Sequence, residues 1–232
     1  MARRSKKYVE AAKKAVVKDM VLLDAVKQAK KNSYSKFKGT LTLHLAINVP
    51  KDKEAKSIKG SIALPHSSST KTVRIAVFTT ADKVEAALKA GADKAGLEDL
   101  IKEIKGGKID FDIAMATPDV MPKIAILGKE LGPKGLMPNP KTGTVTNDIA
   151  KTVEEYKKGK LNFACDESGV LHFPVGKVDL DDEKIVENIH ACIEKSAEVV
   201  GKTVKAIIKS IHVAPTMGKS IKVTYVEDVV AE

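Results

Sequence analysis

Thr72-Val73-Arg74-Ile75-Ala76-Val77-Phe78-Thr79-Thr80-Ala81-Asp82-Lys83-Val84-Glu85-Ala86-Ala87-Leu88-Lys89-Ala90-Gly91 is the stretch on which the fold turns. Val73 to Phe78 is almost continuously apolar, as a strand buried on both faces requires. Ala81 to Ala90 has helical composition, and Gly91 is placed as its C-cap. The alternation continues with a helix over Leu97 to Ile104, closed by Gly106-Gly107. A strand over Phe111 to Ala116 and a helix over Met121 to Leu131 follow. Strands alternating with helices predict βαβ units and a small parallel sheet covered on both faces.

Both flanks have another texture. Residues 6–30 read as one amphipathic helix, with Val9, Ala12, Val16, Met20, Leu23 and Val26 on its apolar face and Asn32 and Ser33 at its end. Residues 40–48 alternate, with Leu41, Leu43, Leu45 and Ile47 on one side and Thr40, Thr42, His44 and Asn48 on the other. Ile58 to Leu64 is read as the partner of that strand, stopped at Leu64-Pro65-His66. Past Gly159, Leu161–Phe163 and Val170–Phe173 read as antiparallel strands around a turn at residues 166–169. Asp181 or Asp182 opens a helix presenting Ile185, Val186, Ile189, Ile193 and Val199. Val204–Val213 and Ser220–Val226 read as a last strand pair, joined by Ala214-Pro215-Thr216-Met217-Gly218. The expected class is α/β in two domains. Residues 1–66 with 160–232 form an α+β domain with an antiparallel sheet, and residues 67–159 form an inserted α/β domain.

The loop Gly132-Pro133-Lys134-Gly135-Leu136-Met137-Pro138-Asn139-Pro140-Lys141-Thr142-Gly143-Thr144-Val145-Thr146-Asn147 interrupts the middle. Its glycines and prolines predict a rigid, exposed loop, and Asn147 is placed as the cap of a helix reaching Tyr156.

The 232 residues carry 40 basic and 30 acidic side chains, net +10. Residues 1–38 alone hold net +9, and residues 160–232 hold net −3. So uneven a pattern points to a polyanion, nucleic acid before a solvated basic helix that only aids solubility, and that before a membrane surface. Two cysteines build no disulfide framework, which favours a reducing, intracellular setting. No apolar run approaches the roughly 20 residues of a membrane span. No apolar segment follows the basic start, so it is not read as a secretory signal.

Catalytic motifs are weak. The run Gly135 to Thr142 is one residue short of a phosphate-binding loop, since Pro140 stands where the second Gly belongs. Proline has no N–H to aim at a phosphate, which weighs against the alternative of a phosphate- or nucleotide-ligand enzyme using the α/β middle. His190 and Cys192 diverge on one helix, and Cys165 and His172 lie on separate strands, so no metal site is expected. Asp110 and Asp112, and Asp181, Asp182 and Glu183, fit a strand start and a helix N-terminus without chemistry. The expectation is a non-enzyme without cofactor.

The run Gly132 to Val145 resembles the signature of the large-subunit ribosomal protein "L one" family. Five further segments agree in order: Lys36-Phe37, Leu64-Pro65-His66, Ala116-Thr117-Pro118-Asp119-Val120-Met121, His172-Phe173-Pro174-Val175-Gly176-Lys177 and Thr216-Met217-Gly218. The resemblance covers essentially the whole chain. It implies a split αβ first domain that binds large-subunit rRNA and a Rossmann-like second domain without a nucleotide. It further implies a cytoplasmic, ribosome-bound protein that is monomeric when free. Bacterial members form the mobile stalk at the exit site, assist release of deacylated tRNA and repress their own operon mRNA.

The resemblance carries Lys36, Phe37, Thr40, Ser210, Thr216, Met217 and Gly218 over as rRNA or mRNA contacts. Their chemistry suits RNA: Lys36 for phosphate, the hydroxyls of Thr40, Ser210 and Thr216 for phosphate or 2′-OH, and Phe37 as a flat surface. Gly218 is read as giving RNA close approach. The plainer readings make Phe37 a core residue and Met217 a turn filler. Thr42 stands where the family often has a carboxylate. Lys134, Lys141 and His172 are weaker candidates for RNA or tRNA contact.

Overall fold

The computed structural model describes residues 6–14, 19–35, 37–49, 55–66, 73–107 and 109–224. Contacts divide the chain into two compact units, Met1–Ser69 with Phe163–Glu232, and Thr70–Asn162.

The first unit opens with helices α1 (Lys6–Lys14) and α2 (Leu22–Asn32). The single helix expected over residues 6–30 is not formed, because Asp19 to Val21 are not helical. Met20 instead bonds to the edge of a sheet: its N–H donates to the Lys222 carbonyl at 3.3 Å, and Thr224 N–H donates to its carbonyl at 2.9 Å. Helix restarts after Val21, and α2 buries Leu22, Ala25, Val26 and Ala29. Val26 is buried as expected, but the buried face is turned so that Leu23 is exposed. Strand β1 (Thr40–Ile47) follows, then a 3-10 turn at Ala55–Ser57 and strand β2 (Lys59–Ala63).

The second unit runs β3 (Ile75–Phe78), α3 (Ala81–Lys89), β4 (Lys94–Gly96), α4 (Glu98–Lys105), β5 (Ile113–Ala116), the short α5 (Met121–Ile124) and α6 (Gly128–Leu131), then α7 (Ile149–Lys157). Its sheet has the order β4-β3-β5, and both pairings are parallel. Ala76 and Phe78 enter a core with Leu100, Ile104, Ile124, Leu127 and Leu131. Ile75 and Val77 enter the opposite core with Met115, Val153 and Tyr156. That two-sided burial is why the strand reads as an unbroken apolar run. Strand β4 gives no sequence signal, since three residues are too short for periodicity. The helix expected over Met121–Leu131 is broken by a 3-10 turn at Ala125–Leu127.

The proline-rich loop is partly buried rather than exposed throughout, with Pro138 and Thr144 inside. Its end runs beside β5: Ala116 N–H donates to the Thr144 carbonyl at 3.0 Å, and Thr146 N–H donates to the Ala116 carbonyl at 3.1 Å. The Tyr156 hydroxyl donates to Asn162 Oδ1 at 2.6 Å and lies 3.0 Å from the Thr142 carbonyl. Burial pushes that phenol up to about 12. Tyr156→Phe is expected to lower stability by about 1 kcal/mol, read as an earlier urea midpoint. An unchanged midpoint would refute this anchoring role. The residue capping α7 is Asp148, not Asn147.

The chain returns through β6 (Lys160–Ala164), β7 (Val170–Lys177), α8 (Asp182–Val200), α9 (Val204–Ile207), β8 (Ile208–Pro215) and β9 (Ile221–Val223). The last strand pair therefore begins at Ile208, after a helical turn, rather than at Val204. A four-stranded antiparallel sheet has the order β7-β1-β8-β9. Leu43 stands opposite both Phe173 and Val213. Because the last third of the chain takes both edges of β1, the expected partner β2 pairs with β6 instead. The expected hairpin ladder is not formed: β6 pairs with β2, and Cys165, just past β6, makes an isolated bridge to Leu171.

Helices α2 and α8 pack on one face of this sheet. They cover Leu41, Leu43, Leu45 and Ile47, while the alternate residues Thr40, Thr42, His44 and Ala46 are half-buried on an open face. Asn188, fully buried on α8, donates Nδ2 to the carbonyls of Val175 at 2.7 Å and His66 at 3.0 Å. Its Oδ1 accepts the His66 N–H at 3.0 Å.

Candidate nucleic-acid interface

Two connections meet at one end of the open sheet face, the lead-in to β1 and the turn between β8 and β9. Thr216 clasps them. Its Oγ1 accepts from Thr40 N–H at 3.0 Å and donates to the Thr40 carbonyl at 2.9 Å, and its own N–H donates to the same carbonyl at 3.0 Å. The Thr216 hydroxyl proton therefore serves the clasp, where the sequence suggested a phosphate or 2′-OH contact. Tyr34 N–H donates to the Met217 carbonyl at 3.3 Å, a second tie across the same gap.

Gly218 has a role the sequence did not disclose. A Cβ there would lie 2.6 Å from Pro215 Cγ and 2.7 Å from the Asn32 carbonyl oxygen. The close approach is made by the end of α2, so Gly218 is a docking point within the protein.

On this frame stand two exposed apolar side chains, Phe37 at 59% and Met217 at 38% exposure. Phe37 is not a core residue. Its carbonyl accepts from Ser35 Oγ at 3.0 Å, which fixes the backbone beneath the ring. Lys36 lies outside the described residues. Its neighbour Lys38 pairs with Asp179 at 2.5 Å, and the hydrogen bond with that carboxylate raises the lysine pKa.

Ser210 is on the same open face, opposite Ala46. It lies six positions from Thr216, roughly 20 Å along an extended strand. His172 also lies on this face, opposite His44. Thr42 Oγ1 donates to the Ala214 carbonyl at 3.1 Å and lies 3.0 Å from His44 Nε2. Sequence reasoning left His44 and His212 out of the site. Alternation set His44 on the polar side of its strand, but only the register reveals what stands beside it. Lys134 and Lys141 are exposed on the loop of the second unit.

The basic N-terminal block is partly matched within the protein. Lys30 pairs with Asp182 at 2.6 Å and donates to the Leu180 carbonyl, and Lys38 pairs with Asp179. The segment entering α8 thus neutralises two of the cations counted toward the polyanion.

The phosphate-loop alternative fails on backbone geometry. Lys141 N–H donates to Asn139 Oδ1 at 2.9 Å. The N–H groups of Thr142 and Thr144 donate to the Asn139 carbonyl, and that of Gly143 to Pro140. These donors close the loop on itself and are not aimed at a ligand. Cys192 is fully buried, and burial pushes its thiol up to about 12, far from a reactive thiolate. Among the described residues, no three His, Cys, Asp or Glu side chains are grouped as metal ligands, and no helix is long and apolar enough to cross a membrane.

Residues 28–219 match the sequence profile of the Ribosomal protein L1p/L10e family. The chain is 46% identical over 226 residues to the large ribosomal subunit protein uL1 of Thermosipho africanus, covering 96% of this chain and 97% of the relative. The protein of the same name from Streptomyces coelicolor is 44% identical over 224 residues, covering 95% and 92%. That of Kosmotoga olearia is 41% identical over 227 residues, covering 97% and 98%.

Proposed function

Because the chain belongs to the Ribosomal protein L1p/L10e family, and is therefore a structural constituent of the large ribosomal subunit and not an enzyme, we propose that it binds large-subunit rRNA through the open sheet face and the clasped end of its first unit. As a ribosomal component it acts in the cytoplasm, with rRNA as its partner in the subunit. The observation that carries the reading is the pair of exposed apolar side chains, Phe37 and Met217, raised on the Thr40–Thr216 clasp. A flat ring on a fixed backbone suits stacking on an unstacked base or sugar, the usual mode of sequence-specific RNA recognition. Residues 1–66 with 160–232 would then be the RNA-binding domain and 67–159 an inserted domain.

The finer reading follows the same face. It takes a like-shaped element of the protein's own operon mRNA and so represses translation. On the ribosome the protein forms the mobile stalk and assists release of exit-site tRNA, with Lys134 and Lys141 as the RNA or tRNA contacts of the second unit. Free of the ribosome it is a monomer.

The test is binding to an rRNA stalk fragment and to a scrambled hairpin across a salt series. The native fragment should bind at least tenfold tighter at every salt concentration, by about 1.4 kcal/mol or more. Phe37→Ala should weaken it roughly tenfold, from a stacking loss of about 1–3 kcal/mol. Equal affinity for both RNAs would sink the proposal.

A further inference from the structure

Register places four side chains in one row across the open face. His44 on β1 is opposite His172 on β7 and opposite His212 on β8, and His212 is opposite Lys222 on β9. Three imidazoles and an ammonium thus cross all four strands. The row lies between the proposed contacts: Thr40 and Thr216 are toward one end of the strands, and Ser210 is toward the other. An RNA segment reaching from Phe37 to Ser210 over this face passes over the row. Its neighbours on β1 and β8, Thr42, Ala46, Ser210 and Ala214, are small, while Val170 and Pro174 flank His172; His172 is exposed, and His44 and His212 are half-buried.

The hydrogen bonds fix where the protons sit. The Thr42 hydroxyl has one proton and donates it to the Ala214 carbonyl, so toward His44 Nε2 it accepts. His44 therefore carries hydrogen on Nε2, and neutral His44 presents Nδ1 as an acceptor. His44 Nδ1 and His172 Nδ1 are 2.7 Å apart, so the proton between them belongs to His172. His172 Nε2 lies 3.4 Å from Asp166 Oδ2, where an added proton would complete a hydrogen bond. Asp166 is held below its ordinary pKa chiefly by the Val170 N–H, with His172 and the Ser168 N–H adding to it. His44 is held below its own, first by burial and then by His172 and His212. Burial and its two imidazole neighbours thus keep the middle imidazole neutral. At the far end Lys222 pairs with Asp19 at 2.8 Å. Among the described residues, the carboxylates that pair with the row are Asp166, at His172, and Asp19, at Lys222.

We propose that the row His172–His44–His212–Lys222 is a proton-linked binding site for the RNA phosphodiester backbone, with binding coupled to proton uptake by the outer histidines. This rests on the rRNA-binding reading above and adds a regulator to it. A phosphodiester over the row favours the imidazolium forms by charge, and its direct donors are His212 and the Lys222 ammonium, because the two N–H groups of protonated His172 face His44 and Asp166. By linkage, affinity then rises as pH falls through the histidine range.

The experiment measures binding of the full chain to the rRNA stalk fragment at pH 8 and pH 6, with calorimetry at pH 7 in buffers of different ionisation enthalpy. Wild-type affinity should rise about tenfold between the two pH values, with uptake of about half a proton. In the His172→Gln/His212→Gln variant, the ratio of the two affinities should fall to near one. Phe37→Ala should weaken binding at both pH values and keep the wild-type ratio. The calorimetric proton count needs no variant, so it stands even if the double substitution misfolds. Specific binding without pH dependence or proton uptake, or a double variant with the wild-type ratio, would overturn the proton linkage alone. Absence of specific binding at both pH values would overturn the rRNA reading together with it.

Discussion

Gly218→Ala is expected to bind the rRNA stalk fragment at least tenfold more weakly and to unfold about 2 kcal/mol more easily than wild type. The added methyl would meet the Asn32 carbonyl at 2.7 Å and Pro215 Cγ at 2.6 Å. Neither obstacle is the far end of a flexible side chain, since one is backbone and the other a ring. The turn must therefore move away from the end of α2. Moving it strains the Thr216 clasp and the Tyr34–Met217 bond, which together set the spacing of Phe37 and Met217. Filter binding and urea unfolding on the same preparations check both effects. A variant with wild-type affinity and midpoint would show that the docking of this turn is dispensable.

Asn188→Ala should cost about 3 kcal/mol of stability in the first unit, the largest single effect expected here. The amide satisfies three backbone groups: the carbonyls of Val175 and His66 and the His66 N–H. Removing it leaves a cavity on a helix face with no exposure, together with backbone groups that have lost their partner. Asn188→Asp is the informative companion, because it keeps the acceptor for His66 and loses the donors. Its loss should be of similar size, since a carboxylate facing two carbonyls is unfavourable. Losses below about 1 kcal/mol for Asn188→Ala would mean that water or a shifted backbone replaces the amide.

What the sequence disclosed depended on whether a residue's role is local. Ile75 to Phe78, the core of the apolar run that begins at Val73, and the alternation Leu41, Leu43, Leu45, Ile47 are legible because burial on two faces, or on one, imposes its own spacing. The break at Met20 is not. Its cause is a pair of bonds to Lys222 and Thr224, some 200 residues away in the chain, and no periodicity carries that information. The partner of β1 is hidden for a related reason: β2 is the nearest apolar segment, whereas both edges go to strands from the far end of the chain.

Within the site, motif likeness picks out Phe37, Thr216, Met217 and Gly218, and the fold brings them together. Their physical roles had to be read from geometry. Thr216 turns out to be a clasp and Gly218 a docking point, because hydroxyl and glycine chemistry alone cannot say which neighbour uses them. His44 and His212 each look like an ordinary polar residue facing outward. Only the register across three strands makes them a row.

The central place of β1 also sets a timetable. Thr42 and its partner Ala214 are 172 residues apart, so the middle of the sheet waits for its second neighbour to be made. At a synthesis rate of roughly 5–20 residues per second, that delay is roughly 10–30 s. All three strands of the second unit lie within Ile75–Ala116, so that sheet can assemble while the first is still half made. Until β7 is made, β1 has no neighbouring strand, which leaves the apolar side of Leu41 to Ile47 as a surface of the nascent chain for a chaperone to cover.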